Sequence, residues 1–502
     1  MSKPLAMAAA LVFTAATAAR SQPAPASPSA ALESYTHARE VLDRALAASG
    51  GAAALQAVKD VTRTGSGTAY NQGQSLRPGD PYSTRAVEVM SVADFAQGRS
   101  VNEQVTTPIG GLSTKTRAVL RGESGFGHNL LTNVVTPATP GGVTGARTAL
   151  RRDPLSILVT ASRRADTLRY VGEDVVDGEK NDVITFADAD GTQITLYVGA
   201  RSGLLTKYET IADNPVLGDT VTETKLSDYR PVGGVQAPFR VVTRVAGQVT
   251  QDVKYAGIKV NASPEASLYE PPAAAPQVTP LPGPATVTVT KIADDVFLFS
   301  GSSHNSLLVT FPDHSLLVEA PLSDDRTQAL TAKIEEIAPG KPVRYVVMTH
   351  YHFDHSGGLR GWIAQGATIV TTAGNKAFVE QVAAAKHTIR PDDLSRTPKP
   401  ATVETFTGKR VFSAGDRVVE LCDVGPNPHV AEMTVAYLPK EKLLFVADLF
   451  TIPAEGPIAP AGAATRQFAE KIQALGLQVD KIAPAHGRIG TIDELKQVVS
   501  AK

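Results

Sequence analysis

Apolar and polar positions change their period along this chain, and the changes divide it into units. From Ser34 to Ala48, apolar residues at Ala38, Val41, Leu42, Ala45 and Leu46 recur at helical spacing, and Gly50 and Gly51 close the run. One amphipathic helix is predicted there. Further on the period drops to two: residues 182–186 and 192–198 flank an Asp190-Gly191 turn, a hairpin signal, and the runs 204–211, 220–229, 239–245 and 251–258 continue it. Residues 34–270 therefore read as a mainly antiparallel β domain with a helix against it. Between Glu270 and Pro284 proline is too dense for a helix or a central strand, which predicts an extended linker over 271–285. After it come four strand-like runs (286–290, 296–300, 306–311, 315–319), a helix (324–337), a strand (343–348), a helical stretch (357–364), a strand (368–371) and a helix (375–385). Strands at 417–424, 433–438 and 443–447 and a helix at 492–499 complete an α/β unit over 286–502.

Composition adds exclusions. A net charge of -1 over 502 residues gives no electrostatic reason to expect nucleic acid or an anionic membrane surface as partner. The pairs Arg151-Arg152 and Arg163-Arg164 read as solvated surface, and Gly110, Gly141 and Gly145, which lack phosphate-loop spacing, as turns. At the start, Lys3, the apolar run Pro4 to Ala19 and small residues at Ala16, Ala18 and Ala19 fit a cleavable export signal over 1–19, followed by a disordered Pro/Ala/Ser segment over 20–33. The apolar run is too short for a stable membrane span, so a periplasmic or secreted protein is expected. Cys422 is the sole cysteine, so no intramolecular disulfide can form, and it reads as a small buried hydrophobe.

The chemistry concentrates in one place. Three of the ten histidines fall within His350, His352 and His355, with Asp354 among them, in an H-x-H-x-D-H string on a strand-to-helix loop closed by Gly357 and Gly358. A loop can aim some of these side chains at one cation and the rest at a neighbour, and the imidazole and carboxylate mixture suits zinc, with iron or manganese as poorer fits. Downstream, His429, Asp448 and His486 each border a strand-like run or a turn, which places each at the rim of one sheet.

In order, His350, His352, Asp354, His355, His429, Asp448 and His486 resemble the metal signature of the metallo-β-lactamase superfamily, over residues 286–502. The resemblance implies an αββα sandwich with the metals between sheet edges. It implies one metal on His350, His352 and His429, another on Asp354, His355 and His486, and Asp448 bridging both. Asp at 448 resembles the thioesterase, lactonase and phosphodiesterase branches rather than the zinc β-lactamases, which makes β-lactam hydrolysis a side possibility. His352, where di-iron flavoproteins of the superfamily generally carry Glu, weighs against a redox di-iron centre. Glu319 stands where the family usually has Asp, and is expected to orient the ligand loop from behind the metals. Residues 34–270 resemble the lipoprotein-carrier-like half-barrel of some exported members. Little follows the helix at 492–499, so the helical C-terminal domain of a glyoxalase II is not expected, which counts against glutathione thioesters.

The implied chemistry is hydrolysis of a small-molecule ester-like bond (ester, thioester or lactone) by an exported enzyme. The nucleophile would be a hydroxide shared by two zinc ions, its pKa lowered to about 7, with Asp354 orienting it. His387 and Arg390, between the halves, are candidate substrate contacts, though ordinary loop roles are the stronger reading; His304, near the sheet edge that would face the cleft, and His314, in a Pro-Asp-His turn, are read the same way. Two alternatives stay open. One is a mononuclear iron enzyme like the persulfide dioxygenases of this fold, on His350, His352, His429 and Asp448. The other is a binding protein whose N-terminal sheet carries an apolar ligand while the metal domain is vestigial.

Overall fold

The computed structural model describes residues 29–108 and 113–501. The export-signal reading lies outside the described residues, and no described helix is long and apolar enough to cross a membrane. The first helix, Ala30–Ala48, starts before Ser34 because Ser29 caps it, its hydroxyl accepting the Leu32 N–H; residues 30–33 are thus helical rather than part of a disordered segment. Its Ala38, Val41, Leu42, Ala45 and Leu46 are buried in a core shared with a helix at Ile157–Arg163 and with the sheet beside it.

That sheet has thirteen strands among the described residues, all antiparallel. Its first and last strands in sequence, Asp60–Tyr70 and Gln248–Val260, pair at the middle. From that seam the chain meanders outward to Val134–Pro137 on one edge and Arg169–Val176 on the other. The strands before residue 182 escape a hydrophobic pattern because they are largely half-exposed and alternate Thr, Arg and Glu with valine, as in Thr84–Asp94.

Two local readings are corrected. Gly141 and Gly145 lie inside a helix, Pro140–Arg151, where the Thr139 cap and Pro140 at the first turn outweigh the low helix propensity of glycine. Arg151 and Arg152 are not free surface charges: both guanidinium groups reach the buried Asp188 carboxylate, at 3.0 and 3.2 Å. The proline-dense stretch is extended, and part of it lies along the sheet edge, with Val135 N–H donating to Pro276 O and Val278 N–H to Val135 O.

The rest of the chain builds two further sheets around one core. The seven-stranded sheet runs from Thr288–Ala293 to Thr402–Phe406, and the six-stranded sheet from Lys409–Ala414 to Gly490–Thr491. Strands Ser306–Thr310, Ser315–Val318, Thr434–Leu438 and Leu443–Val446 are buried along their whole length, as strands covered on both faces must be. The molecule is thus a mixed α/β chain in which a large antiparallel sheet precedes a metallo-β-lactamase-type sandwich. Ser315–Val318, Val343–Val347 and Thr368–Thr372 run parallel in one sheet, and Leu443–Val446 and Lys481–Pro484 in the other. Parallel strands release their C-terminal ends on a common side, the usual place for a site in such sheets.

Candidate metal centre

Those C-terminal ends carry the titratable residues. Glu319 follows Ser315–Val318, and His350 and His352 follow Val343–Val347; Asp354 and His355 ride on a single helical turn, Phe353–Ser356. Asp448 follows Leu443–Val446, His486 follows Lys481–Pro484, and His429 sits in the loop before Thr434–Leu438. The downstream ligand candidates therefore stand at the rim of the six-stranded sheet, while His350 to His355 come from the seven-stranded one. Two rims meet at the site. Gly357 and Gly358 make the approach possible: a Cβ on Gly357 would lie 2.1 Å from Leu322 O, and one on Gly358 2.6 Å from Thr327 Oγ1.

The side chains form two adjoining groups, in each of which the ligand atoms lie within 4.8 Å of one another: His350, His352, His429 and Asp448, and His304, Asp354, His355 and His486. Asp448 serves both. Its Oδ2 is 2.9 Å from His429 Nε2, and its Oδ1 is 2.9 Å from His486 Nε2 and 3.0 Å from His355 Nε2. Burial opposes ionisation of Asp448, but His355, His429 and His486 hold its carboxyl far below the usual range.

Each of four histidines has its remote ring nitrogen occupied, which turns the other toward the centre. His350 Nδ1 is 3.0 Å from Thr349 Oγ1, whose hydroxyl bonds Glu319 Oε1, and His355 Nδ1 is 2.6 Å from Glu319 Oε2. His486 Nδ1 is 2.8 Å from Ser303 O, and His352 Nε2 is 3.0 Å from Ser75 O. Burial, then the neighbouring His429, pushes His352 down to about 4, and burial with His355 lowers His350 too, so both stay neutral and ligand-competent. Burial works against a proton on His355, yet Glu319 and Asp448 hold its pKa well above the ordinary value; a cation would take that proton's place.

The donor set fits a metal. Among the described residues, buried His352 Nδ1 has no hydrogen-bond partner, and buried His355 Nε2 and Asp448 Oδ1 come within hydrogen-bond distance only of each other and His486 Nε2 at the shared centre. Six imidazoles and two carboxylates are ligands for zinc or another borderline divalent ion. Glu319 also lies within reach of His350 and His355, but its two oxygens are already engaged by Thr349 and His355 Nδ1, so its place is behind the ligands.

Residues 299–486 match the family model described as Metallo-beta-lactamase superfamily. This part of the chain belongs to that superfamily. Among solved structures, a metallo-beta-lactamase from Pontibacter korlensis is 24% identical, covering 43% of this chain and 98% of that one at a TM-score of 0.34. The DIM-1 metallo-beta-lactamase is 21% identical, covering 43% and 95% at 0.34. FIM-1 from Pseudomonas aeruginosa, in its mono-zinc form, is 20% identical, covering 42% and 93% at 0.32.

The superfamily domain does not build its centre alone. A loop of the N-terminal sheet, between Asp60–Tyr70 and Thr84–Asp94, lies on the H-x-H-x-D-H segment. Gln74 Nε2 donates to Asp354 Oδ1 at 2.7 Å, Ser75 O accepts the Tyr351 hydroxyl at 2.7 Å as well as His352, and Leu76 O accepts Ala431 N–H. Gly73 packs so closely on Phe353 that a Cβ would sit 2.3 Å from the ring. No local pattern around residue 74 points to a contact with residue 354, 280 positions away.

His304 is not the ordinary loop residue its sequence position suggests. It is 4% exposed, and its Nε2 lies 3.3 Å from Asp354 Oδ2. The signal in the sequence is its place at the sheet edge facing the cleft, directly before Asn305 and the fully buried strand Ser306–Thr310. His387 and Arg390 are placed elsewhere. His387 is buried with its Nδ1 2.6 Å from Asp213, Arg390 pairs with Asp325, and the cavity they line, about 260 Å³, includes none of the seven sequence-derived ligand candidates. That cavity lies where the N-terminal sheet meets this domain, beside Asp219 Oδ1, which accepts Thr388 N–H. His314 bonds Asp313 in its own turn.

Proposed function

We propose that this superfamily domain works as an exported binuclear zinc hydrolase on an ester-like bond (ester, thioester or lactone) of a small molecule. The observation that carries the reading is the convergence of His350, His352 and His429 on one side of Asp448, and of Asp354, His355 and His486 on the other, with the remote nitrogens of four of these histidines already bonded. Such a set is built to hold two cations. Bound there, two zinc ions supply a Lewis acid for a carbonyl oxygen and an acidified water. Asp448 holds the two groups in register, one oxygen toward each. Glu319 keeps His350 and His355 turned inward. Asp354 is the candidate catalytic carboxylate: its side chain is 38% exposed, more than any other member of the set, so it can accept a hydrogen bond from an attacking water while Gln74 and His304 fix its two oxygens.

Two surface cavities of the N-terminal sheet mix polar and charged residues (Ser66, Glu88, Asp252, Lys254, Lys115) with apolar ones (Val87, Val89, Met90, Val105), and neither is the predominantly apolar pocket of a lipid carrier. Its contacts with the ligand loop support a role in building the centre. Elemental analysis of the purified protein tests the reading, with Asp448→Ala and His486→Ala alongside. About two zinc ions per chain, falling to about one in His486→Ala, are expected from a binuclear site. Hydrolysis of a chromogenic ester, thioester or lactone should disappear in Asp448→Ala. One iron per chain, insensitive to His486→Ala, would overturn the proposal in favour of the mononuclear oxygenase. Export is tested by recovering the protein from periplasm or medium with a new N-terminus.

A further inference from the structure

The binuclear reading gives His304 only a hydrogen bond to Asp354, yet its surroundings are those of a ligand. It is buried with its Nε2 among Asp354 Oδ2, His355 and His486, and its ring stands edge-on to both histidines, centroids 4.8 and 4.2 Å apart. For Nε2 to offer a lone pair, Nδ1 must carry the proton, and Ser303 Oγ lies 2.9 Å from Nδ1 to accept it.

The segment that carries His304 is locked to the segment that carries His486. Asn305 N–H donates to Ala485 O at 2.7 Å, and the Asn305 amide donates to Pro484 O and Gly487 O at 2.9 and 2.8 Å. Ser303 O accepts His486 Nδ1 from the same loop. From behind, buried Arg326, which has no carboxylate partner among the described residues, donates to the carbonyls of Pro284, Thr286, Ser300 and His304. A buried guanidinium spent on four main-chain carbonyls fixes a loop rather than a charge. His304 and His486 are thereby held as a preorganised pair.

We propose that His304 is a metal ligand, its Nε2 completing the cation site of Asp354, His355 and His486. This rests on the binuclear reading and alters it. With Asp448 shared, the second ion would have five protein donors and little room for another, the character of a closed site. The first ion, on His350, His352, His429 and Asp448, would keep the open position, and the substrate's carbonyl oxygen would be directed there.

The rival role for His304 is a hydrogen bond that merely orients Asp354. Glutamine separates the two, because its amide can still donate to Asp354 but is a poor zinc ligand. The experiment loads metal-free wild type, His304→Ala and His304→Gln with zinc against a competing chelator, and records visible spectra of the cobalt-substituted proteins. Both variants should bind the second ion tenfold or more weakly, leave the first unchanged, and show stronger cobalt bands as the coordination number drops. Wild-type affinity and spectrum in His304→Ala, or full rescue by His304→Gln, would overturn the ligand assignment and leave the binuclear reading standing. A wild type that takes up a single ion would overturn both. Circular dichroism of each variant separates loss of a ligand from loss of the fold.

Discussion

Glu319 is the residue on which the two halves of the centre most depend. Its side chain is fully buried; one oxygen takes the Thr349 hydroxyl and the other lies 2.6 Å from His355 Nδ1. Because Thr349 Oγ1 is also 3.0 Å from His350 Nδ1, one carboxylate directs a ligand of each site: His350 Nδ1–H donates to Thr349, Thr349 donates to Glu319, and His355 Nδ1–H donates to Glu319. Glu319→Gln keeps the shape but reverses half of this. If the amide oxygen accepts from His355, the amide nitrogen faces Thr349 as a donor, and the Thr349 hydroxyl turns to His350 Nδ1. That favours the tautomer with a proton on His350 Nε2, where a metal lone pair is needed. Loss of such an outer partner weakens metal binding about 10- to 100-fold, or about 1.4–2.7 kcal/mol. A neutral amide oxygen is also a weaker acceptor for His355 Nδ1–H than the carboxylate. Chelator competition should therefore show weakening of both ions, with the ion on His350 affected more. Glu319 also holds a left-handed backbone at φ +81, which the Gln variant retains, so strain does not confuse the comparison. Wild-type affinity for both ions would refute the argument that Glu319 sets the two tautomers; weakening of only one would break its Thr349 branch or its His355 branch.

Gly73→Ala tests the interdomain contact: the added Cβ would meet Phe353 at 2.3 Å from a backbone at φ +67, so about 1–3 kcal/mol of overpacking should appear as a lower thermal midpoint and weaker zinc binding. Unchanged metal affinity would show that the loop at 73–76 does not hold the ligand segment. Asp392→Asn tests the buried pair with Arg360, both nearly inaccessible, and should cost about 3 kcal/mol in urea unfolding at pH 7. Burial opposes the Asp392 charge, but Arg360 and Ser395 outweigh it and hold the carboxyl well below the usual range. Its contribution is thus present above the unfolded pKa near about 4 and lost as pH falls through the lower folded value, so the gap between wild type and variant should be full at pH 7 and shrink below about pH 4. A gap that widens on acidification would contradict the sign.

The order of residues alone carried much of the site. His350, His352, Asp354 and His355 fall close in sequence because one tight loop between a buried strand and a glycine-closed helix must present them, and that geometry leaves a local trace. Asp448 was legible at the end of a short apolar strand, and His486 beside a Pro- and Gly-marked turn. The sandwich strands were legible too, since burial on both faces leaves unbroken apolar runs such as Leu443–Val446. Local pattern could not reveal which strands run parallel and so share an edge; that Asp448 serves both groups came from the order of the ligand types and the family it resembles, not from any local period. Only tertiary structure decided the rest. His304 became part of the centre because Asn305 and Arg326 lock its loop to that of His486, and Gln74 and Ser75 reached the ligand segment across 280 residues. His387 turned to Asp213 because the N-terminal sheet meets the domain there. Periodicity records which face of an element is buried, not what another part of the chain brings to it; hydrogen bonds made at long sequence separation leave no period to read.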